Sequence, residues 1–351
     1  MIYNRMEFQF KLMKGMAVMK KKILCLALAA ACVLSGCGKK TDENDVVATV
    51  GDVEITMSEF EFYLENVKQQ MQGTELSSDE DWKTKDINGK KAIEIAKEQA
   101  IDIAAKNVAY KMIYEKMGKT ITDENKAAIE ETKNNIVTQY DQAGGYEAFL
   151  TNANITDEFV DMLCESMFCS EQLYTEFVSS QNVTDDEINA FYDENYDLYF
   201  SSYRRAKHVL ILTKNMETNE EYSEDKKAEA KKKAEEIFQR AKKGENFDSL
   251  VSKYSEDPGS ATNPEGYTFT DGEMVKEFQD CVDSLAPGEI GFVESSFGYH
   301  IIQRLDVDKS YFAENIKARI LSTKFDEYIE QKMEEYGLDV QEKDAMKDAL
   351  E

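Results

Sequence analysis

Residues 203–212, YRRAKHVLIL, and residues 292–305, FVESSFGYHIIQRL, contain both histidines of the 351-residue chain and decide its architecture. Ala206–Leu212 reads as a strand, and Phe292–Glu294 and Tyr299–Leu305 read as two more, because apolar and β-branched residues dominate each run. Between them the chain carries a charged linker, then a helix from about Asp225 to Lys243 closed by Gly244. A short second helix is marked by Phe247, Leu250, Val251 and Tyr254. The loop DPGSATNPEG (residues 257–266) leads into Tyr267-Thr268-Phe269, and a third helix, Met274–Leu285, ends at Pro287-Gly288. The order β-α-α-β-α-β-β makes a compact unit of about a hundred residues.

Outside this unit the pattern is helical. Val46–Thr56 (VVATVGDVEIT) alternates around Gly51-Asp52 and predicts a short hairpin. Ser58 then opens a helix with Phe60, Leu64, Val67 and Met71 at helical spacing. Residues 73–90 are polar, contain the only Trp, Trp82, and read as a loop or insertion. A long amphipathic helix is expected from about Lys91 to Met117. Thr122-Asp123-Glu124, Thr156-Asp157-Glu158 and Thr184-Asp185-Asp186-Glu187 each start a further helix, since threonine caps and first-turn acids suit helix amino termini. After the central unit, residues 311–336 return to helix, followed by Leu338-Asp339-Val340.

Composition narrows function. Forty-two Lys and Arg against sixty-nine Asp and Glu give a formal net charge of −27. Such a surface repels phosphate backbones and excludes nucleic-acid binding. Two His exclude His-rich metal sites, so no metal and no cofactor is expected. Cys164 and Cys169 sit five apart on one helix and point away from one another. With Cys281 they read as small buried hydrophobes, not redox groups.

The run MKKKILCLALAAACVLSGC (residues 19–37) sets the compartment. Three lysines precede twelve apolar residues, about 18 Å of helix and too short for a bilayer core of about 30 Å. That length fits the apolar region of an export signal. Leu34-Ser35-Gly36-Cys37 resembles a bacterial lipobox, which implies lipidation of Cys37 and a tether through residues 37–45. Two acyl chains suffice for stable anchoring. A lipid-anchored protein on the extracytoplasmic face of the cell membrane is expected, with Met1, Met16 or Met19 as its start.

The segments YSEDPGS, GEMVKEF, LAPGEI and SSFGYHII resemble the parvulin (PpiC-type) peptidyl-prolyl isomerases over residues 203–306. The resemblance implies an active site with His208, His300, Asp257 and Ser295, and a proline pocket of Phe269, Met274 and Phe278. The chemistry suits those residue types. Rotation about an X–Pro bond crosses about 18–20 kcal/mol because the planar amide loses resonance. An apolar socket can grip the ring while polar groups favour the twisted amide. Two departures stand out. The family's Gly-Gly-x-Leu-Gly stretch is Pro264-Glu265-Gly266-Tyr267, and the linker KNMETNEEYSEDKK (residues 214–227) lacks the Arg cluster of phosphate-reading relatives.

The wider chain resembles the PrsA-type extracytoplasmic foldases, with an amino-terminal part similar to the SurA chaperone domain. The fold class expected is α+β, a mostly helical chaperone domain with an inserted parvulin domain of four antiparallel strands flanked by helices. The map is a signal peptide at 1–36, a lipidated tether at 37–45, a chaperone domain at 46–200, a parvulin domain at 203–306, and a carboxy-terminal helix at 310–351 packing with the amino-terminal domain. The function implied is a membrane-anchored prolyl isomerase and chaperone acting on unfolded or partly folded exported polypeptides. A holdase with an inactive parvulin lobe is the alternative, and a homodimer is left open.

Overall fold

Val46–Val50 (β1) and Val53–Thr56 (β2) form the antiparallel hairpin that their alternation predicts, turning through Gly51 in the left-handed region at φ +55°. The computed structural model describes residues 44–72, 76–87 and 89–346. The leader and Cys37 lie outside these residues. The next elements are Met57–Met71 (α1), Asp79–Thr84 (α2), Asp86–Ile87 (β3), Lys90–Lys91 (β4), Ala92–Lys116 (α3), Asp123–Gln142 (α4), Tyr146–Ala153 (α5), Asp157–Ser180 (α6) and Asp185–Glu194 (α7). There follow Arg204–Leu212 (β5), Glu224–Lys242 (α8), Phe247–Tyr254 (α9), Tyr267–Phe269 (β6), Lys276–Asp283 (α10), Ile290–Ser295 (β7), Gly298–Leu305 (β8), Ala313–Tyr336 (α11) and Val340–Glu342 (β9).

Capping chemistry sets many of the helix starts. Thr56 and Glu59 bond reciprocally, as do Thr184 and Glu187, while Thr156 accepts from the Phe159 N–H at 3.1 Å. Each such cap contributes about 1 kcal/mol. Within the stretch read as a loop, residues 76–87 hold more order than expected. Ser78 caps α2 with Asp81, and Trp82 is buried, 6% exposed. One apolar anchor in a six-residue helix leaves no periodicity to read.

The described residues fall into two compact units, one running to Ile188 and resuming at Asn315, the other Asn189–Glu314. In the first, α3 presents Ala92, Ala96, Ala100, Ala104, Ala105 and Ala109, all buried, so that α1 and α6 pack close against it. Phe325 of α11 packs with Tyr110, Tyr174 and Phe177, and Ile329 is fully buried. β9 pairs antiparallel with β1, Val50 opposite Val340, completing a three-stranded sheet in the order β2-β1-β9. Cys164 and Cys169 are free and buried in this core.

The second unit is built on a four-stranded antiparallel sheet in the order β6-β5-β8-β7. Side chains alternate across it. Val209, Ile211, Tyr299 and Ile301 face α8 and α9 and pack with Ala234, Ile237, Phe247 and Leu250. Ala206 and Ile302 lie on the opposite face with Phe269, Phe278 and Val282. The unit is wider than residues 203–306 at both ends because aromatic rings gather there. Phe312 lies 4.8 Å from both Phe200 and Tyr203, and Tyr192 stacks on Phe200 at 4.6 Å.

Candidate active site

The period of two puts His208 and His300 on one face of the sheet. Leu210 pairs with His300, and His208 pairs with Ile302, so the two histidines sit diagonally on adjacent strands. Their Nδ1 atoms are 3.3 Å apart. Ser295 on β7 shares that face, and its Oγ is 2.7 Å from His300 Nε2. On the other flank, β6 pairs with β5 only as far as Ala206. Beyond it the segment before Asp257 takes over the β5 edge, through the Glu256 N–H to the Leu210 carbonyl at 2.8 Å and the Leu210 N–H to Ser255 Oγ at 3.2 Å. This brings Asp257 Oδ2 to 2.9 Å from His208 Nε2.

Asp257 is held from several sides. It caps the single turn Pro258–Ala261, where Oδ1 accepts from the Gly259 N–H at 3.0 Å. Its Oδ2 also accepts from Tyr267 at 2.6 Å and from Ser260 at 3.2 Å. Burial opposes its ionisation, but the bonds from His208, Tyr267 and Gly259 outweigh it and hold the carboxyl well below the usual range. Burial, with the neighbouring His208, pushes His300 down to about 3, so it is neutral at pH 7.

Donor and acceptor capacity constrains the direction of the chain of bonds. An ionised Asp257 only accepts, so His208 carries a proton on Nε2; where that is its only proton, its Nδ1 offers a lone pair to His300. His300 then donates from Nδ1 and accepts at Nε2 from the Ser295 hydroxyl. Ser295 Oγ in turn accepts from the Phe297 N–H at 3.1 Å.

Apolar side chains lie beside this line. The Phe278 ring stands edge-on to both histidines, at 5.1 and 5.6 Å, and Phe269 lies 5.9 Å from Phe278. Phe269 and Phe278 are almost fully buried and back the site from below, whereas Met274 is half-buried and reaches the surface. The histidines are also covered, His208 8% and His300 3% exposed. Of the polar groups named from the sequence, Asp257 and Ser295 are the partly exposed ends of the line, and the histidines are the wiring between them.

The structure brings together all seven residues named from the sequence for the isomerase site. Sequence reasoning missed Ser260 and the part played by Tyr267, which figured only in the run Tyr267-Thr268-Phe269 and in an altered glycine stretch. The alternation of Tyr267 with Phe269 on one strand face was the available signal. Among the described residues no group of three or more His, Cys, Asp and Glu could hold a metal ion, and no helix is long and apolar enough to cross a membrane.

Residues 200–308 match the family described as the PPIC-type PPIase domain. The chain is 28% identical to a foldase protein PrsA of Caldanaerobacter subterraneus over 89% of this chain and 94% of that one. It is 33% identical to a foldase protein PrsA of Geobacillus kaustophilus over 41% of this chain and 44% of that one. Similarity to a chaperone SurA of Alkalilimnicola ehrlichii is 33% over 36% of this chain and 29% of that one. The chain thus spans almost the whole of the first relative and less than half of the other two.

Proposed function

For this chain, a PrsA-type foldase with a parvulin-type peptidyl-prolyl isomerase domain and a SurA-like chaperone region, we propose that catalysis uses the line of bonds from Asp257 to Ser295 beside Met274. The observation that carries the reading is that two buried histidines are satisfied by side chains from four separate segments, with an apolar wall alongside. No bond of the substrate is broken. Twisting the X–Pro amide makes its nitrogen more basic and its carbonyl more ketone-like, so groups that bond better to the twisted form lower the barrier. Of the two surface ends only the Ser295 hydroxyl can donate to such an amide; ionised Asp257 accepts, and with His208 and His300 it holds the serine in register. Met274 grips the ring, with Phe278 and Phe269 behind it. A His208→Ala/His300→Ala variant should lose about tenfold to a hundredfold in kcat on a short proline peptide while staying folded by circular dichroism. Full activity in the folded variant would overturn the reading.

The substrates are unfolded or partly folded exported polypeptides. The domain map is 46–200 for chaperoning, 203–306 for isomerisation and 310–351 returning to the amino-terminal domain, with residues 189–200 and 310–314 packed into the isomerase unit. Support comes from the pairing of β9 with β1 and the burial of Phe325 and Ile329 in the helical core. Anchoring is through lipid on Cys37, a reading that rests on Leu34–Cys37. Cys37→Ala should move the folded protein from the membrane to the soluble fraction. Continued membrane association would rule the lipid out.

A further inference from the structure

We infer that Tyr267 is a positioning residue of the isomerase site, whose hydroxyl orients the Asp257 carboxylate and thereby the direction of every bond from His208 to Ser295. The inference rests on the site proposed above and goes beyond it, to a residue standing where the family carries part of a glycine stretch.

Three independent features of the chain serve this one hydroxyl. The first is the bond itself, 2.6 Å from Tyr267 Oη to Asp257 Oδ2, shorter than those from His208 and Ser260 to the same oxygen. The second is Gly259. A Cβ there would lie 2.3 Å from the Tyr267 hydroxyl and 3.4 Å from Asp257 Oδ1, so the turn leaves open the space the hydroxyl fills. The third is Gly266, at φ +90°, where a Cβ would meet the Ala206 carbonyl oxygen at 2.7 Å. Backbone cannot yield as a side chain can, so only glycine lets β6 close on β5 there. The closure sets Tyr267 opposite Ala206, two residues from His208 along β5, with ring centroids 5.7 Å apart.

The consequence follows from donor and acceptor arithmetic. Asp257 can turn about two side-chain torsions, and its Oδ1 is fixed only by the Gly259 N–H. Tyr267 pins Oδ2 toward His208. Without that pin only the longer Ser260 bond, 3.2 Å, holds Oδ2, so the acceptor at His208 Nε2 is less firmly placed and both tautomers become accessible. If Nδ1 of His208 carries the proton, His300 must shift its own proton to Nε2. It then donates to Ser295 and the serine hydroxyl is turned elsewhere. The polar ends of the line change while Met274 is untouched. Loss of the hydroxyl should therefore lower kcat with little change in KM.

The test compares full-length wild type, Tyr267→Phe, Asp257→Ala and the double variant on a proline peptide, with ring 15N spectra of the two histidines. Tyr267→Phe keeps the ring and should lower kcat about tenfold, leave KM within about twofold, and convert one His208 tautomer to a mixture. In the Asp257→Ala background it should have no further effect, because the hydroxyl acts through that carboxylate. Gly259→Ala retains the tyrosine but drives a methyl into the hydroxyl. It should reproduce the kcat loss and the mixed tautomers, and it carries the test if Tyr267→Phe does not fold. Wild-type kcat in both Tyr267→Phe and Gly259→Ala, or an additive loss in the double variant, overturns the role of Tyr267 alone when Asp257→Ala is slow. An Asp257→Ala enzyme as fast as wild type overturns the site itself and the role with it.

Discussion

The two units bury polar side chains in different ways. In the helical unit Ser166 and Ser170 are buried, 1% and 6% exposed, and each donates to a backbone carbonyl, of Asn107 and Met167, with the uncharged Asn107 amide oxygen also 3.2 Å from Ser166. Such a bond asks nothing of another side chain's protonation state. In the isomerase unit His208 and His300 are as deeply buried, but their partners are Asp257, Ser295 and one another. Every one of those partners titrates or rotates. Buried polar groups satisfied by backbone belong to packing; those satisfied only by side chains from other elements make a device with more than one state.

Deleting the return helix should break the comparison most severely. Ending the chain at Glu314 removes Phe325, Ile329, Met333 and β9 from the helical core. Each large buried side chain is worth roughly 2–5 kcal/mol, so their sum is comparable to a typical total stability of about 5–15 kcal/mol. Hydrogen exchange should show residues 46–188 unprotected and residues 204–305 unchanged. Equal loss in both would mean that the units do not fold separately.

Acid should separate them next. Folded His300 stays neutral to about 3, whereas in the unfolded chain it takes up a proton near its ordinary value of 6.5. As pH falls below 6.5 the unfolded state alone gains that proton, and the isomerase unit loses on the order of 4 kcal/mol by pH 3. The depressed Asp257 adds its own loss below about 4. Asp326 in the helical unit has the opposite sign. Burial raises its carboxyl, Lys106 opposes this, and Asp102 and Glu330 add to it, so protonation relieves a folded-state cost. Exchange protection at pH 4.5 against pH 7 should fall in β5 and β8 more than in α3 and α11. The smallest effect is expected from Met274→Ala, which opens the half-buried socket wall and should raise KM several-fold more than it lowers kcat. An equal fall in kcat would place Met274 in the twisting step.

Much of this was legible because the signals were local. The runs around His208 and His300 carry their own β pattern, and the Thr-Asp starts at 122, 156 and 184 carry their own capping chemistry. What escaped depended on distance or on absence. The eight residues of Tyr146–Ala153 are too few to establish a helical period. β9 is three residues whose partner lies near the other end of the chain. Tyr267 was visible as a residue, but its bond to Asp257 needs the gap at Gly259 and the turn at Gly266, and a side chain that is missing leaves no pattern.

The rings at the two ends of the isomerase unit have a kinetic consequence. Phe312 touches Phe200 and Tyr203, and Lys309 reaches Asp193, so the unit's entry and exit segments are fastened together. To the helical unit, whose halves stop at Ile188 and resume at Asn315, an insert with joined ends behaves as a short link. Loop-closure entropy grows as about (3/2)RT ln n, so once the insert has folded, bringing β9 to β1 resembles closing a loop shorter by that whole insert. A chain emerging amino terminus first can therefore complete its catalytic lobe early. The late search of its last strand for its first partner is then one of short reach.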